Sequence, residues 1–179
     1  MNNLFLALLI FILSGLVSLV FYRMNRCSSV IGIAGVLAGC VFGLLSALDV
    51  LVNENNLTLV LNWMPYLGDF SIGIDPLSAF FLVPVFIITP FIALYGGEYI
   101  SQWSGKKNIG NTWFFFNILV ASVVLVIISR NFILFLIAWE IMTVSSFILV
   151  LFEYEKSEVR YGGFLYLIIA HIGVVSLIV

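Results

Sequence analysis

Charge is what this sequence has least of. Of its 179 residues only 9% are Asp, Glu, Lys or Arg, and histidine occurs once. A water-soluble domain carries about a quarter charged residues, so a free-standing soluble domain is excluded. Cysteine occurs twice, as Cys27 and Cys40, in no spacing that suits a metal site or a disulfide framework. Packing explains both, with Cys27 expected in a short basic loop and Cys40 inside a helix. The sequence also lacks a nucleotide-binding glycine loop, a flavin fingerprint, a haem-ligand pair and an iron–sulfur cysteine set. No cofactor, metal or nucleic-acid partner is therefore expected, nor any redox chemistry of the chain's own. The N-terminus has no basic n-region, and its apolar run is long for a signal peptide, so it is expected to be a retained first span.

What is present instead is hydrocarbon. Hydrophobic residues make up 63% of the chain, the mean hydropathy is +1.23, and the apolar residues fall in bilayer-length blocks. The expected fold is an all-α polytopic membrane protein, a single membrane domain over 1–179. Its six spans fall at about 4–22, 30–52, 76–97, 112–128, 131–152 and 161–179. Arg23, Arg26, Lys106, Lys107, Lys156 and Arg160 all fall in loops on one side, and Arg130 alone on the other. The positive-inside rule makes the first side cytoplasmic. This predicts a multi-pass protein of the cell (inner) membrane with an extracytoplasmic N-terminus.

The connection between spans two and three has its own pattern. Two β-favouring runs, Leu57–Leu61 and Phe70–Ile74, flank a Pro/Gly turn region and predict a short extracytoplasmic β-hairpin lying on the membrane surface. Asp75-Pro76 then reads as N-cap and first residue of span three, and Pro84 and Pro90 predict a kink within it. The three-residue "SRN" between spans four and five makes those helices antiparallel neighbours. Span two carries Gly35, Gly39, Gly43 and Ala47 at four-residue intervals, a stripe that lets another helix approach closely. The stripe does not say whether that helix belongs to this chain.

Within "LIAWEIMTVSSFILVL", residues 136–151, one carboxylate stands in a hydrophobic run. Glu140 lies about ten residues into its span, roughly 15 Å deep at 1.5 Å per residue. An ionised group there costs on the order of 3 kcal/mol. A protonated, paired or hydrated carboxyl is tolerated, and such a group suits proton exchange; a neutral Glu that hydrogen-bonds a neighbouring helix is the plainer alternative. Thr143 shares a similar face and could bond the carboxyl, although Thr and Ser in membrane helices, Thr143, Ser145 and Ser146 among them, more often bond their own backbone. His171 lies at comparable depth in span six. A Glu140–His171 contact or water bridge would make it a proton relay, and ordinary packing is the alternative. Glu98, Asp49 and Glu54 sit near span ends. Glu153, Glu155 and Glu158 belong to a charged loop, solvated or forming a docking surface.

"GIDPLSAFF" at 73–81, "SRNFILFLIAWEIMTVSSFILV" at 129–150 and "GGFLYLIIAHIGVVSLIV" at 162–179 resemble the antiporter-like membrane subunits. These occur in respiratory complex I, multisubunit Na⁺/H⁺ antiporters and membrane-bound hydrogenases, and the last segment looks closest to the formate hydrogenlyase type. The resemblance implies partners among the membrane subunits of a hydrogenase or complex-I-like assembly, besides the lipid bilayer. It also implies proton (or Na⁺) translocation, in a non-redox subunit of an oxidoreductase complex. Glu140 matches the family's key carboxylate of the fifth helix, thought to pair with a lysine on the seventh. Family members have about fourteen helices with inverted repeats, and no lysine stands inside a span here. The expectation is the N-terminal portion of such a subunit, truncated or split. Its alternative is a structural or assembly subunit without transport.

Overall fold

The structure is a computed structural model that describes residues 2–53, 56–64, 68–103 and 105–178. Six helices form: α1 (Asn2–Val20), α2 (Asn25–Asn53), α3 (Pro76–Ser101), α4 (Ile109–Ile128), α5 (Phe132–Val150) and α6 (Ser157–Ile178). All six are long and apolar enough to cross a membrane, and the chain is a multi-pass membrane protein. Hydropathy marks lipid contact rather than helix ends, so α2 starts at Asn25 and α4 at Ile109, ahead of the expected 30 and 112. Cys27 therefore sits exposed in the first turn of α2 and not in a loop, while Cys40 is buried as expected. Glu54 and the hairpin turn at 65–67 lie outside the described residues.

The core lies where α1, α2 and α4 meet, with α3 against α2 and α5 against α4. The glycine stripe finds its partners within this chain. A Cβ on Gly39 would stand 2.4 Å from the Phe11 ring of α1, and one on Gly43 2.4 Å from the Phe86 ring of α3. Both rings are fully buried, so each fills space that only a missing side chain leaves open. Polar groups stitch the same core. Ser18 and Ser28 pair hydroxyl to hydroxyl at 2.7 Å, Ser14 donates to Asn117 Oδ1 at 2.9 Å, and Trp113 Nε1 donates to Ser29 at 3.1 Å. Polar groups packed between helices satisfy one another.

Strands β1 (Leu57–Met64) and β2 (Gly68–Ile74) form the antiparallel hairpin between α2 and α3, pairing Leu57 with Ile74 and Leu61 with Phe70. Ile72 and Ile74, two residues apart and so on one strand face, are buried. The hairpin is fastened to the α4–α5 corner. Ile72 bridges to Ser129, the Arg130 amide donates to the Ser71 carbonyl at 2.9 Å, and Asn131 Nδ2 donates to the Asp69 carbonyl at 3.1 Å. Asp75 caps α3 through the Ser78 amide at 2.7 Å, with Pro76 as the first helical residue, and α3 then runs through Pro84 and Pro90 as one helix.

Candidate proton site between α5 and α6

Helix α5 is started by Asn131, whose side-chain oxygen accepts from the amides of Ile133 and Leu134. At its other end a 3-10 turn, Leu151–Glu153, turns the chain into α6. The short connection makes the two helices antiparallel, and side chains pair down their seam in order. The Phe147 and Phe164 rings lie 6.3 Å apart, the Ser146 and Tyr166 hydroxyls 2.5 Å apart, and deepest of all Glu140 meets His171. Gly163 lets α6 close on the 3-10 turn, where a Cβ would stand 2.8 Å from Leu151.

His171 Nε2 stands 3.4 Å from Glu140 Oε2. The structure thus brings together the two residues singled out from the sequence. The other ring nitrogen, Nδ1, lies 2.9 Å from the Leu167 carbonyl, one turn back on α6. A carbonyl only accepts, so Nδ1 carries a proton, and the state of Nε2 is left to Glu140. Two arrangements satisfy both groups: a neutral carboxylic acid facing the Nε2 lone pair, or a carboxylate facing an imidazolium. Both have zero net charge, and they differ by one proton moved across the contact. A medium that penalises net charge favours both over a lone carboxylate. At 3.4 Å the contact exceeds the usual 2.7–3.2 Å of a hydrogen bond, so a small approach of the helices tightens it.

Glu140 and His171 are not sealed in. Their side chains are 36% and 50% exposed in this chain, among apolar neighbours such as Ile168 and Ile172 on the outer side of α6. Thr143 does not join them: it turns into the core, and no hydrogen bond links it to Glu140 among the described residues. Ser146 bonds the backbone carbonyls of Met142 and Thr143, the self-bonding alternative.

A second polar centre ties the helix ends together. Lys107, after α3, contacts Glu155, after α5, at 2.9 Å and donates to the Phe152 carbonyl. Its ammonium lies 5.0 Å from the Trp103 ring, 4.7 Å from Phe152 and 5.6 Å from Tyr154, an aromatic enclosure that attracts a cation. The Lys107 side chain is 9% exposed and that of Glu155 57%. Hydrogen bonding from Lys107 holds the Glu155 carboxyl below its usual range, and Glu153 raises the Lys156 ammonium above its own. The three acidic loop residues are thus not all merely solvated, since Glu153 pairs with Lys156 and Glu155 with Lys107. Glu98 and Asp49 remain exposed at helix ends, with Asp49 accepting from Asn53. No group of three or more His, Cys, Asp or Glu able to hold a metal occurs among the described residues.

Two features escaped the sequence reading: the Lys107 enclosure and the Tyr166–Ser146 pair. The second had a signal, a tyrosine five residues before His171 on the same helix.

Hydrogenase-4 component B of Escherichia coli (strain K12) is 29% identical over 97% of this chain. Na(+)/H(+) antiporter subunit A1 of Staphylococcus haemolyticus (strain JCSC1435) is 31% identical over 75% of it. The chain is a relative of the antiporter-like membrane subunits. No protein-family model matches this chain. It spans 25% and 16% of the length of those two relatives. A chain of the membrane-bound sulfane sulfur reductase (MBS), an archaeal respiratory membrane complex, has the same fold: TM-score 0.70 and 20% identity, over 96% of this chain and 26% of that one.

Proposed function

We propose that the chain is part of a proton-translocating, antiporter-like subunit of a hydrogenase or related oxidoreductase complex, with Glu140 as its protonatable carboxylate and His171 as relay. The Glu140–His171 contact carries the reading. A spanning carboxylate is costly unless it is paired or protonated, and this pair can move one proton between its members without changing its net charge. The relatives support the setting, one being a component of hydrogenase-4 and another a subunit of a Na⁺/H⁺ antiporter. The other membrane subunits of that assembly would be its partners. Six basic residues gather at the end where Lys107 meets Glu155, and Arg130 at the hairpin end. By the positive-inside rule the hairpin end, with the N-terminus, faces out of the cell.

The test is ion movement by the assembled complex in liposomes. Glu140→Gln keeps the shape and removes the titratable proton, so proton uptake is expected to fall about a hundredfold, with His171→Gln intermediate. Undiminished uptake in Glu140→Gln overturns the reading. Dependence of uptake on Na⁺ over K⁺ would make sodium the transported ion. A purely structural subunit is the second reading, favoured by the close approach of Gly39 to Phe11 and Gly43 to Phe86. It is preferred if Glu140 proves dispensable while a bulky residue at Gly39 blocks assembly.

A further inference from the structure

At the end of the bundle where α2 begins and α3 finishes, a cleft of about 430 Å³ opens between the helix ends. Asn25, Arg26, Ser29 and Ser101 supply its polar lining, and Val30, Gly97 and Ile109 its apolar lining. Arg26 is exposed and makes no ion pair among the described residues. Ser29 Oγ receives the Trp113 indole proton at 3.1 Å, and its own proton has no acceptor among the described residues. Ser101 donates to the Glu98 carbonyl at 2.7 Å, which leaves its oxygen as an acceptor. No carboxylate lines the cleft.

We propose that this cleft binds the headgroup of an anionic phospholipid. The guanidinium fork of Arg26 and the free Ser29 hydroxyl face the phosphate, and Ser101 Oγ accepts from a headgroup hydroxyl. Arg26 is in the first turn of α2 and Ser101 is the last residue of α3, the level at which spanning helices meet the headgroup layer. Val30, exposed one turn further along α2, continues the cleft as an apolar wall toward the hydrocarbon. That wall suits an acyl chain and has no use for a free phosphate ion. Arg26 is the selective element because a guanidinium matches phosphate oxygens two at a time. The inference is independent of any role of Glu140.

Native mass spectrometry of the delipidated chain tests it, with phosphatidylglycerol against phosphatidylethanolamine of the same acyl chains. Phosphatidylglycerol is expected to be retained preferentially. Arg26→Gln should weaken its retention roughly fivefold, the value of one basic residue near an anionic surface. Arg23→Gln removes the same charge from outside the cleft and should change little. Three results overturn the proposal: equal retention of the two lipids, equal effects of the two substitutions, or displacement of the lipid by inorganic phosphate at matched concentration.

Discussion

Arg130 Nη2 lies 3.0 Å from Asp75 Oδ2, so the corner joining α4 to α5 holds the residue that starts α3. Arg130 also donates to the Ser78 hydroxyl at 3.4 Å, and that hydroxyl donates to the Ile127 carbonyl at 3.3 Å. The arginine that stood apart in the charge pattern is thus a fastening between the hairpin, α3 and the α4–α5 corner.

Asp75→Ala is expected to destabilise the protein by about 1–2 kcal/mol through loss of the cap, read as a lower melting temperature in detergent. The Ser78 amide foremost, and Arg130 after it, lower the Asp75 carboxyl from 3.8 to about 2. A carboxyl lowered on folding adds stability above its unfolded value, and that stability is lost as pH falls through the folded one. Between about pH 5 and pH 2 the native protein should therefore lose stability that Asp75→Ala does not have to lose.

Gly39→Ala places a methyl against Phe11 and is expected to cost about 1–3 kcal/mol as overpacking. Gly96→Ala, where nothing lies within 4 Å of the added carbon, should be neutral or slightly stabilising. Combined with Phe11→Ala, the Gly39→Ala cost should shrink, because the double change removes the clash; a double-mutant cycle by denaturation measures it.

The histidine is unique in the chain, so ¹⁵N-histidine labelling yields one imidazole to read. Its Nδ1 should appear protonated at every pH at which the Leu167 bond persists. A neutral ring protonated at Nε2 instead would contradict the assignment made from that carbonyl.

Lys107 should resist amine-reactive labelling relative to exposed Lys106. Its ion pair with Glu155 and the rings of Trp103 and Phe152 restrain the ammonium, so it should react several times more slowly. Glu155→Gln removes the ion pair and should narrow the difference, with peptide mass spectrometry as the measurement.

The spanning helices and the hairpin were legible because each follows from a local rule: a bilayer-length apolar run, or alternation around turn residues. Asp75 as the cap of α3 was readable for the same reason. The facing of Glu140 toward His171 was not. Helices α5 and α6 are apolar on all sides, so periodicity cannot tell which face turns inward, and Thr143, three residues from Glu140, turned into the core instead. The enclosure of Lys107 was hidden for another reason, since it needs Trp103 and Phe152, which are brought together only when two connections fold over each other.

Helix α6 packs chiefly on α5 and the 3-10 turn, and among its described residues Gly163 and Val174 are buried. His171 thus rides on the helix with the fewest ties, opposite Glu140 on one anchored to α4. Sliding α6 by a single residue moves it about 1.5 Å, enough to open or to shorten a 3.4 Å contact. Whatever lies against the outer face of α6 therefore works as a vernier on the distance between acid and imidazole.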